Sequence, residues 1–458
     1  MVFEVTKIRL IFARSTIMQK RPTLFYRWLK WSMDLVLRFY LQKLHISGLE
    51  HIPKQGPFIL ACNHPNSFLD ACIIATFIKR PVHFLVRGDM FINGTVNWLL
   101  RQMHQLPIHR REEGLSQLSK NDQTFAECYQ LFQQNSGVLI FSEGRSEFEK
   151  RLRKIRKGTA RLALGALNEL DEATDIPIVP VGVNYTYGDQ FRTEAILAIG
   201  PALSTLAYAP NADIPLPKRV NELTAAIEAA LEKRVIILDN DANEKVAELL
   251  FPILRNNVRF THKWKIKSTA RFEQEKAIAT MVNDLAAHDL PKLTALQGKA
   301  NDYQALLKSE NVSDEQLTIA LNGRINIFNL ALSFYPFFIG WLTCFPPLLL
   351  AKWTTGKRVK LPEFYASVLV ALGFFYCLLY IPLLVVLLLF INPALAWLPF
   401  FFPLCLVIGR DYWYLHKKWM FKMVFKIKEV FSPKKVQELQ SKRKELLDYI
   451  HQLTHAPA

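Results

Sequence analysis

Two residues six positions apart, His64 and Asp70, are the pair in this sequence best suited to moving a proton. A carboxylate that accepts from one imidazole nitrogen fixes the tautomer and stabilises the cation formed when the other nitrogen takes a proton, which is how a general base works. Their spacing excludes a shared helical face, because six residues of regular helix turn through roughly 240° net. Pro65 offers a way round. A residue before proline is pushed toward extended geometry, which keeps His64 in a loop, while Asn66 or Ser67 can cap a helix carrying Asp70 in its first turn. The imidazole then lies over the helix start. The plainer alternative is a histidine satisfied by backbone at a helix cap. No serine or cysteine nucleophile on a sharp elbow stands nearby, so the attacking hydroxyl of such a site would belong to the substrate.

Three further stretches carry usable chemistry. Residues 137–146 (GVLIFSEGRS) read as a strand ending in a small-residue turn with Glu143, Gly144 and Arg145, where backbone N–H groups and a guanidinium can meet a phosphate. The alternative is a hairpin turn with a surface ion pair. The cations at 150, 151, 153, 154, 156, 157 and 161 follow, either as a solvated helix face or as a holder of anionic lipid or donor phosphates. Residues 106–111 end in Arg110 and Arg111, suited to bidentate phosphate recognition or simply a surface cluster. Residues 176–183 (IPIVPVGV) suit the wall of an acyl pocket or a core strand.

The elements that must position these groups alternate. Apolar runs at 58–62, 82–86, 138–141, 176–183 and 195–199 predict strands, and helices are predicted to start near Asp70, Asn97, Asp122, Gly158 and Val220. That pattern predicts an α/β domain with a mixed sheet flanked by helices over 44–238, and it puts His64 at a strand-to-helix junction, where open α/β folds keep their sites. Residues 1–43 read as N-terminal amphipathic helices; 23–43 interleave aromatic residues with cations, suiting a membrane interface or the domain's own surface. Residues 239–322 predict a helical connector. A transmembrane region is predicted over 323–412, and 413–458 reads as a basic cytoplasmic tail.

Within the apolar region, 327–351 and the 46 residues of 364–409 contain no charged side chain. The basic loop between them (Lys352, Lys357, Arg358, Lys360) and the basic tail both belong on the cytoplasmic face, so each run should cross an even number of times. We therefore expect 327–351 to be a re-entrant or proline-broken hairpin and 364–409 a two-span hairpin turning at Asn392-Pro393. Residues 1–14 are too broken by charge for a secretory signal, which keeps the bulk of the chain cytoplasmic. The net charge of +17 calls for an anionic partner, and with no nucleic-acid recognition module that partner is anionic membrane lipid or a phosphorylated substrate. Six cysteines without paired spacing exclude zinc and predict no disulfides.

The order of these blocks resembles the glycerolipid acyltransferase family, which includes glycerol-3-phosphate and lysophosphatidic acid acyltransferases. The matching positions are Asn63-His64 with Asp70, then 108–110, 141–145 and 178–183, with 156–161 like the lysine-glycine segment that follows the third block. The resemblance implies an α/β acyltransferase domain and a membrane-bound O-acyltransferase of phosphatidic acid and phospholipid synthesis. In it His64 is the base and Asp70 orients it, while Arg110, Glu143, Gly144 and Arg145 bind the acceptor, glycerol-3-phosphate or its 1-acyl form. The donor is an acyl-CoA or acyl-carrier-protein thioester, with no metal, no bound cofactor and no covalent intermediate. Two features depart from the usual pattern. Five residues rather than four separate His64 from Asp70, as in a branch resembling the fungal glycerol-3-phosphate and dihydroxyacetone phosphate acyltransferases, which also carry C-terminal spans. Ser142 stands where proline is usual, and one residue is missing between Gly144 and Arg145. A non-catalytic membrane-tethered lipid-binding or scaffolding protein on the same fold is the alternative.

Overall fold

The protein is described here by a computed structural model covering residues 23–110, 114, 119–170, 174–188, 190–209, 214–257, 263–322 and 327–455; the expectations for 1–22 and for Arg111 lie outside these. An opening helix α1 (Leu24–Tyr40) leads into β1 (Lys43–Ser47), β2 (Phe58–Cys62), α2 (Ser67–Phe77), β3 (Val82–Arg87), α3 (Gly94–Gln102) and β4 (Gln105–Ile108). Next come α4 (Lys120–Gln133), β5 (Gly137–Phe141), α5 (Gly158–Glu169), β6 (Ile178–Tyr185), β7 (Glu194–Ile199) and α6 (Leu216–Glu232).

The strands form one eight-stranded sheet ordered β4-β3-β5-β2-β6-β7-β1-β8, where β8 is Lys265–Lys267. Every neighbouring pair is parallel except β6 with β7. The carboxyl ends of β4, β3, β5, β2 and β6 therefore share one edge with the starts of β7, β1 and β8. β2 is central, with Cys62 in register with Phe141 on one side and Val181 on the other.

Alternation along β2 sends Phe58, Leu60 and Cys62 to one face, against Leu37 of α1 and Ile73 and Ile74 of α2. Ile59 and Ala61 face the other way, onto Phe132 of α4, Ala163 of α5 and Ile227 of α6. A third cluster joins Ile196 and Ala198 of β7 to α7 (Asp241–Asn256), α8 (Ala270–His288) and α9 (Leu290–Ser309). The region from 239 to 322, which ends in α10 (Asp314–Asn322), is thus helical as expected, but it also contributes β8 to the sheet. Three residues, two of them lysines, leave no periodic signal, which hides β8 in the sequence.

The apolar region differs from its expectation. Residues 327–351 are not a hairpin: α11 (Ile327–Arg358) runs unbroken through Pro336, Pro346 and Pro347. Long apolar helices tolerate proline where neighbouring helices hold them, and a Cβ on Gly340 would come within 2.5 Å of the Leu406 backbone nitrogen, so the packing there is close. After α12 (Pro362–Ile391) the chain does break at Asn392, whose side chain accepts from the Ala394 N–H at 3.0 Å. No second spanning helix follows. Pro393, Pro399 and Pro403 limit the return to short 3₁₀ turns and the seven-residue α13 (Phe402–Ile408). Among the described residues, two helices are long and apolar enough to cross a membrane, Phe328–Arg358 and Glu363–Ile391. The basic tail is folded as α14 (Arg410–Phe431) and α15 (Pro433–His455); α15 buries Val436, Leu439 and Leu446 in the third cluster, and its Arg443 reaches Asp314 at 2.8 Å.

Candidate active site

Every group singled out around His64 sits at the shared edge of the sheet. β2 delivers Asn63, whose side-chain amide donates to the Val183 carbonyl at 2.9 Å and accepts the Val183 N–H at 2.7 Å, extending the β2–β6 ladder past the last strand residue. Next, the His64 N–H donates to Glu143 at 3.0 Å, and its carbonyl accepts the Glu147 N–H at 3.2 Å. The imidazole stacks on Phe141 from the end of β5, with ring centroids 3.7 Å apart.

His64 Nδ1 lies 2.9 Å from Asp70 Oδ2. The extra residue between them is absorbed at Ser67, which adopts φ +41°. That left-handed turn lets the chain leave the His64-Pro65 loop and start α2 at once, with Asp70 in the first turn, where the helix dipole favours a carboxylate. Asn66 occupies the cap position, but its side chain donates instead to the Gly188 carbonyl at 2.6 Å. Hydroxyls from elsewhere serve the helix start: Ser146 Oγ accepts the Ser67 N–H at 2.7 Å, and Ser367 Oγ accepts the Leu69 N–H at 2.9 Å.

Asp70 is fully buried and accepts three donors: His64 Nδ1–H, the Asn66 N–H at 2.8 Å, and the Tyr185 hydroxyl at 2.7 Å on Oδ1. Burial, then the neighbouring Asp70 charge, push the Tyr185 phenol well above its ordinary range, so it stays a donor. Because the Asn66 N–H is fixed on Oδ2, that oxygen must accept from the ring, which sets the Nδ1–H tautomer and leaves Nε2 as the atom to exchange a proton with substrate. The His64 side chain is 14% exposed, within reach of a ligand.

Glu143 is buried, with one oxygen accepting from His64 N–H and the other from Arg153 N–H at 3.2 Å. Burial outweighs these donors and pushes its carboxyl up to about 7. Gly144 makes the turn at φ +76°, where a Cβ would sit 3.2 Å from Arg156 Cγ. Arg145 is largely exposed, 3.6 Å from Glu147. Ser142 suits its position: its N–H donates to the Cys62 carbonyl at 2.9 Å, which a proline could not do, and its hydroxyl lies 3.0 Å from that of Thr159 in α5.

His64, Asp70, Glu143 and Gly144 are thus brought together, with Arg145 at their rim. Arg110 follows edge strand β4, three strand spacings from β2, or about 14 Å along the same edge. Its turn is braced by Asn121, which binds both the N–H and the carbonyl of His109. The basic run after Arg145 is no solvated helix face: helix begins only at Gly158, and Lys150, Arg151 and Arg153 pair with Glu248, Asp241 and Glu147. Residues 178–185 form β6, buried throughout between β2 and β7, so this run is core strand. Sequence reasoning missed Tyr185 and Ser367, and it did not foresee the tertiary bonds of Asn63, Asn66 and Ser146. Their polar groups stand in or beside apolar runs, and the only signal is that a buried amide, phenol or hydroxyl needs a partner.

Comparison with known proteins completes the picture. Residues 43–184 match the acyltransferase family model. The yeast Saccharomyces cerevisiae glycerol-3-phosphate O-acyltransferase 2 is 34% identical over 80 residues, which are 18% of this chain and 11% of that relative, so the chain matches only a small part of its length. Among solved structures, the 1-acyl-sn-glycerophosphate acyltransferase PlsC from Thermotoga maritima is similar at 17% identity, covering 50% of this chain and 89% of the other, with a TM-score of 0.33.

Proposed function

We propose, from the match of residues 43–184 to the acyltransferase family model, that the chain is a membrane-bound O-acyltransferase, moving a fatty acyl group from a thioester to a hydroxyl of glycerol-3-phosphate or 1-acyl-glycerol-3-phosphate. The observation that carries the reading is the His64–Asp70 contact, with the tautomer fixed and Nε2 left for substrate.

In the reaction, Nε2 takes the proton of the acceptor hydroxyl as its oxygen attacks the thioester carbonyl. The tetrahedral intermediate then expels the thiolate, which takes the proton back from the imidazolium. Asp70 stabilises that transient cation. The thioester is already activated, so holding the reactants together supplies much of the rate. Arg110 and Arg145 bind the acceptor phosphate from either side of the edge, while Glu143 and Gly144 shape the turn that presents Arg145 and hold the His64 backbone. The wide His64-to-Asp70 spacing and the apolar C-terminal helices favour glycerol-3-phosphate over its 1-acyl form.

Membrane attachment rests on α11 and α12 and on the outward Leu24, Trp28 and Trp31 of α1, whose rings suit the lipid headgroup region. Purified protein supplied with an acyl thioester and each acceptor in turn tests the reading. It predicts transfer to at least one; thioester hydrolysis with neither acceptor esterified would refute it.

A further inference from the structure

Ser367, in the apolar C-terminal helices, bonds outside its own helix. Ser333, Thr343 and Thr354 of α11 each donate to a carbonyl four residues back in their own helix, at 2.7, 2.6 and 2.7 Å. That is the usual way for a hydroxyl to be satisfied in an apolar helix. Ser367 of α12 instead reaches out of its helix to the turn carrying the candidate base. Its oxygen accepts the Leu69 N–H at 2.9 Å and donates to the Asn66 carbonyl at 2.8 Å. It is 3% exposed, and Ala366 and Val370 beside it belong to the same core cluster as Leu69 and Ile73.

Asn66 is held through its N–H by Asp70, its side chain by Gly188 and its carbonyl by both the Ser367 hydroxyl and the Leu69 N–H. The next residue is the left-handed Ser67, a conformation that persists in a non-glycine residue only when its surroundings over-determine it. Without the Ser367 hydroxyl, the Asn66 peptide would lose an anchor next to the donor that fixes Asp70 Oδ2, and Asp70 in turn orients His64. The hydroxyl crosses from a helix long and apolar enough to span a membrane into the catalytic turn.

We propose that Ser367 is a positioning residue for the His64–Asp70 pair, so that the seating of the apolar helix α12 and the alignment of the base are one structural event. The catalytic consequence rests on the acyltransferase reading above; the positioning itself does not. In this arrangement the apolar helix does more than anchor the chain.

The test uses the full chain in phosphatidylcholine vesicles, as wild type, Ser367→Ala, Ser367→Thr and the control Ser333→Ala. Hydrogen exchange over residues 64–70 and the kinetics of acyl transfer to glycerol-3-phosphate are measured on each, with kcat taken per folded molecule. Ser367→Ala is expected to exchange faster over 64–70 and to lose roughly 10- to 100-fold in kcat with acceptor KM within about twofold, the signature of a displaced group rather than a lost binding contact. Ser367→Thr, which restores the hydroxyl, is expected to recover most of both, and Ser333→Ala to match wild type. Unchanged exchange over 64–70 in Ser367→Ala would overturn the proposal, as would a variant with lower thermal stability but wild-type kcat per folded molecule. Faster exchange in that variant beside an inactive wild type would uphold the positioning and reject the acyltransferase reading.

Discussion

Replacing Asp70 by asparagine separates its charge from its shape. All three groups around the carboxylate are donors, and an amide offers only one oxygen. The Asn66 N–H cannot turn away, so the amide oxygen must take the Oδ2 position, where it also accepts from His64 and keeps the tautomer. The amide nitrogen then faces Tyr185, whose hydroxyl rotates to accept. Geometry survives and the charge is lost. A carboxylate and an imidazolium with charge centres near 4 Å interact by about 4 kcal/mol at an effective dielectric of 20, and with partial compensation by the amide dipole this predicts a fall of roughly 10²- to 10³-fold in kcat. Stability should fall by only about 1–2 kcal/mol. Asp70→Ala strands three buried donors at about 1–3 kcal/mol each, so it should lose about 3–9 kcal/mol and often fail to fold. The assay is acyl transfer to glycerol-3-phosphate alongside thermal unfolding. An Asp70→Asn protein within threefold of wild-type kcat, or one as unstable as Asp70→Ala, would refute the reasoning.

Other expectations follow from the same edge of the sheet. Glu143 is pushed by burial from 4.5 to about 7. Its contribution to stability is therefore fully present below about pH 4.5 and is lost as pH rises through 7, by at most about 3 kcal/mol; denaturation of Glu143→Gln from pH 5 to pH 8 should lack that decline. Arg145→Ala and Arg110→Ala should raise acceptor KM about 10-fold or more with kcat changed little, as expected for lost phosphate contacts made equally in ground and transition states, and kinetics with glycerol-3-phosphate will show it. Gly144→Ala puts a Cβ on a left-handed residue and should cost about 1–2 kcal/mol in thermal unfolding.

Much of this site was legible before any coordinates. Pro65 pointed to a His64 held in a loop before a helix carrying Asp70 in its first turn, and the structure has His64 outside any strand or helix with α2 starting at Ser67. The strands expected at 58–62, 82–86 and 138–141 announce themselves by apolar content, since buried parallel strands have little else, and the structure has them within a residue of those bounds. What stayed hidden was set by tertiary partners. The left-handed turn at Ser67 depends on hydroxyls from Ser146 and Ser367, distant in sequence, and no local signal favours a positive φ there. The unbroken α11 defied its three prolines because propensity is local while helix packing is not. Residues 413–458 read as a basic tail by charge, yet the apolar spacing of Val436, Leu439 and Leu446 fits a packed helix face.

The central claim is that His64 Nε2 removes the acceptor's proton. It is tested most directly by acyl-ester formation from a labelled thioester and glycerol-3-phosphate, comparing wild type with His64→Ala in the same vesicles, with equal folded protein confirmed by thermal unfolding. Ester formation is expected from the wild type, with a loss of at least about 10³-fold in the variant. A folded His64→Ala protein that still forms the ester within about tenfold of the wild-type rate would contradict it.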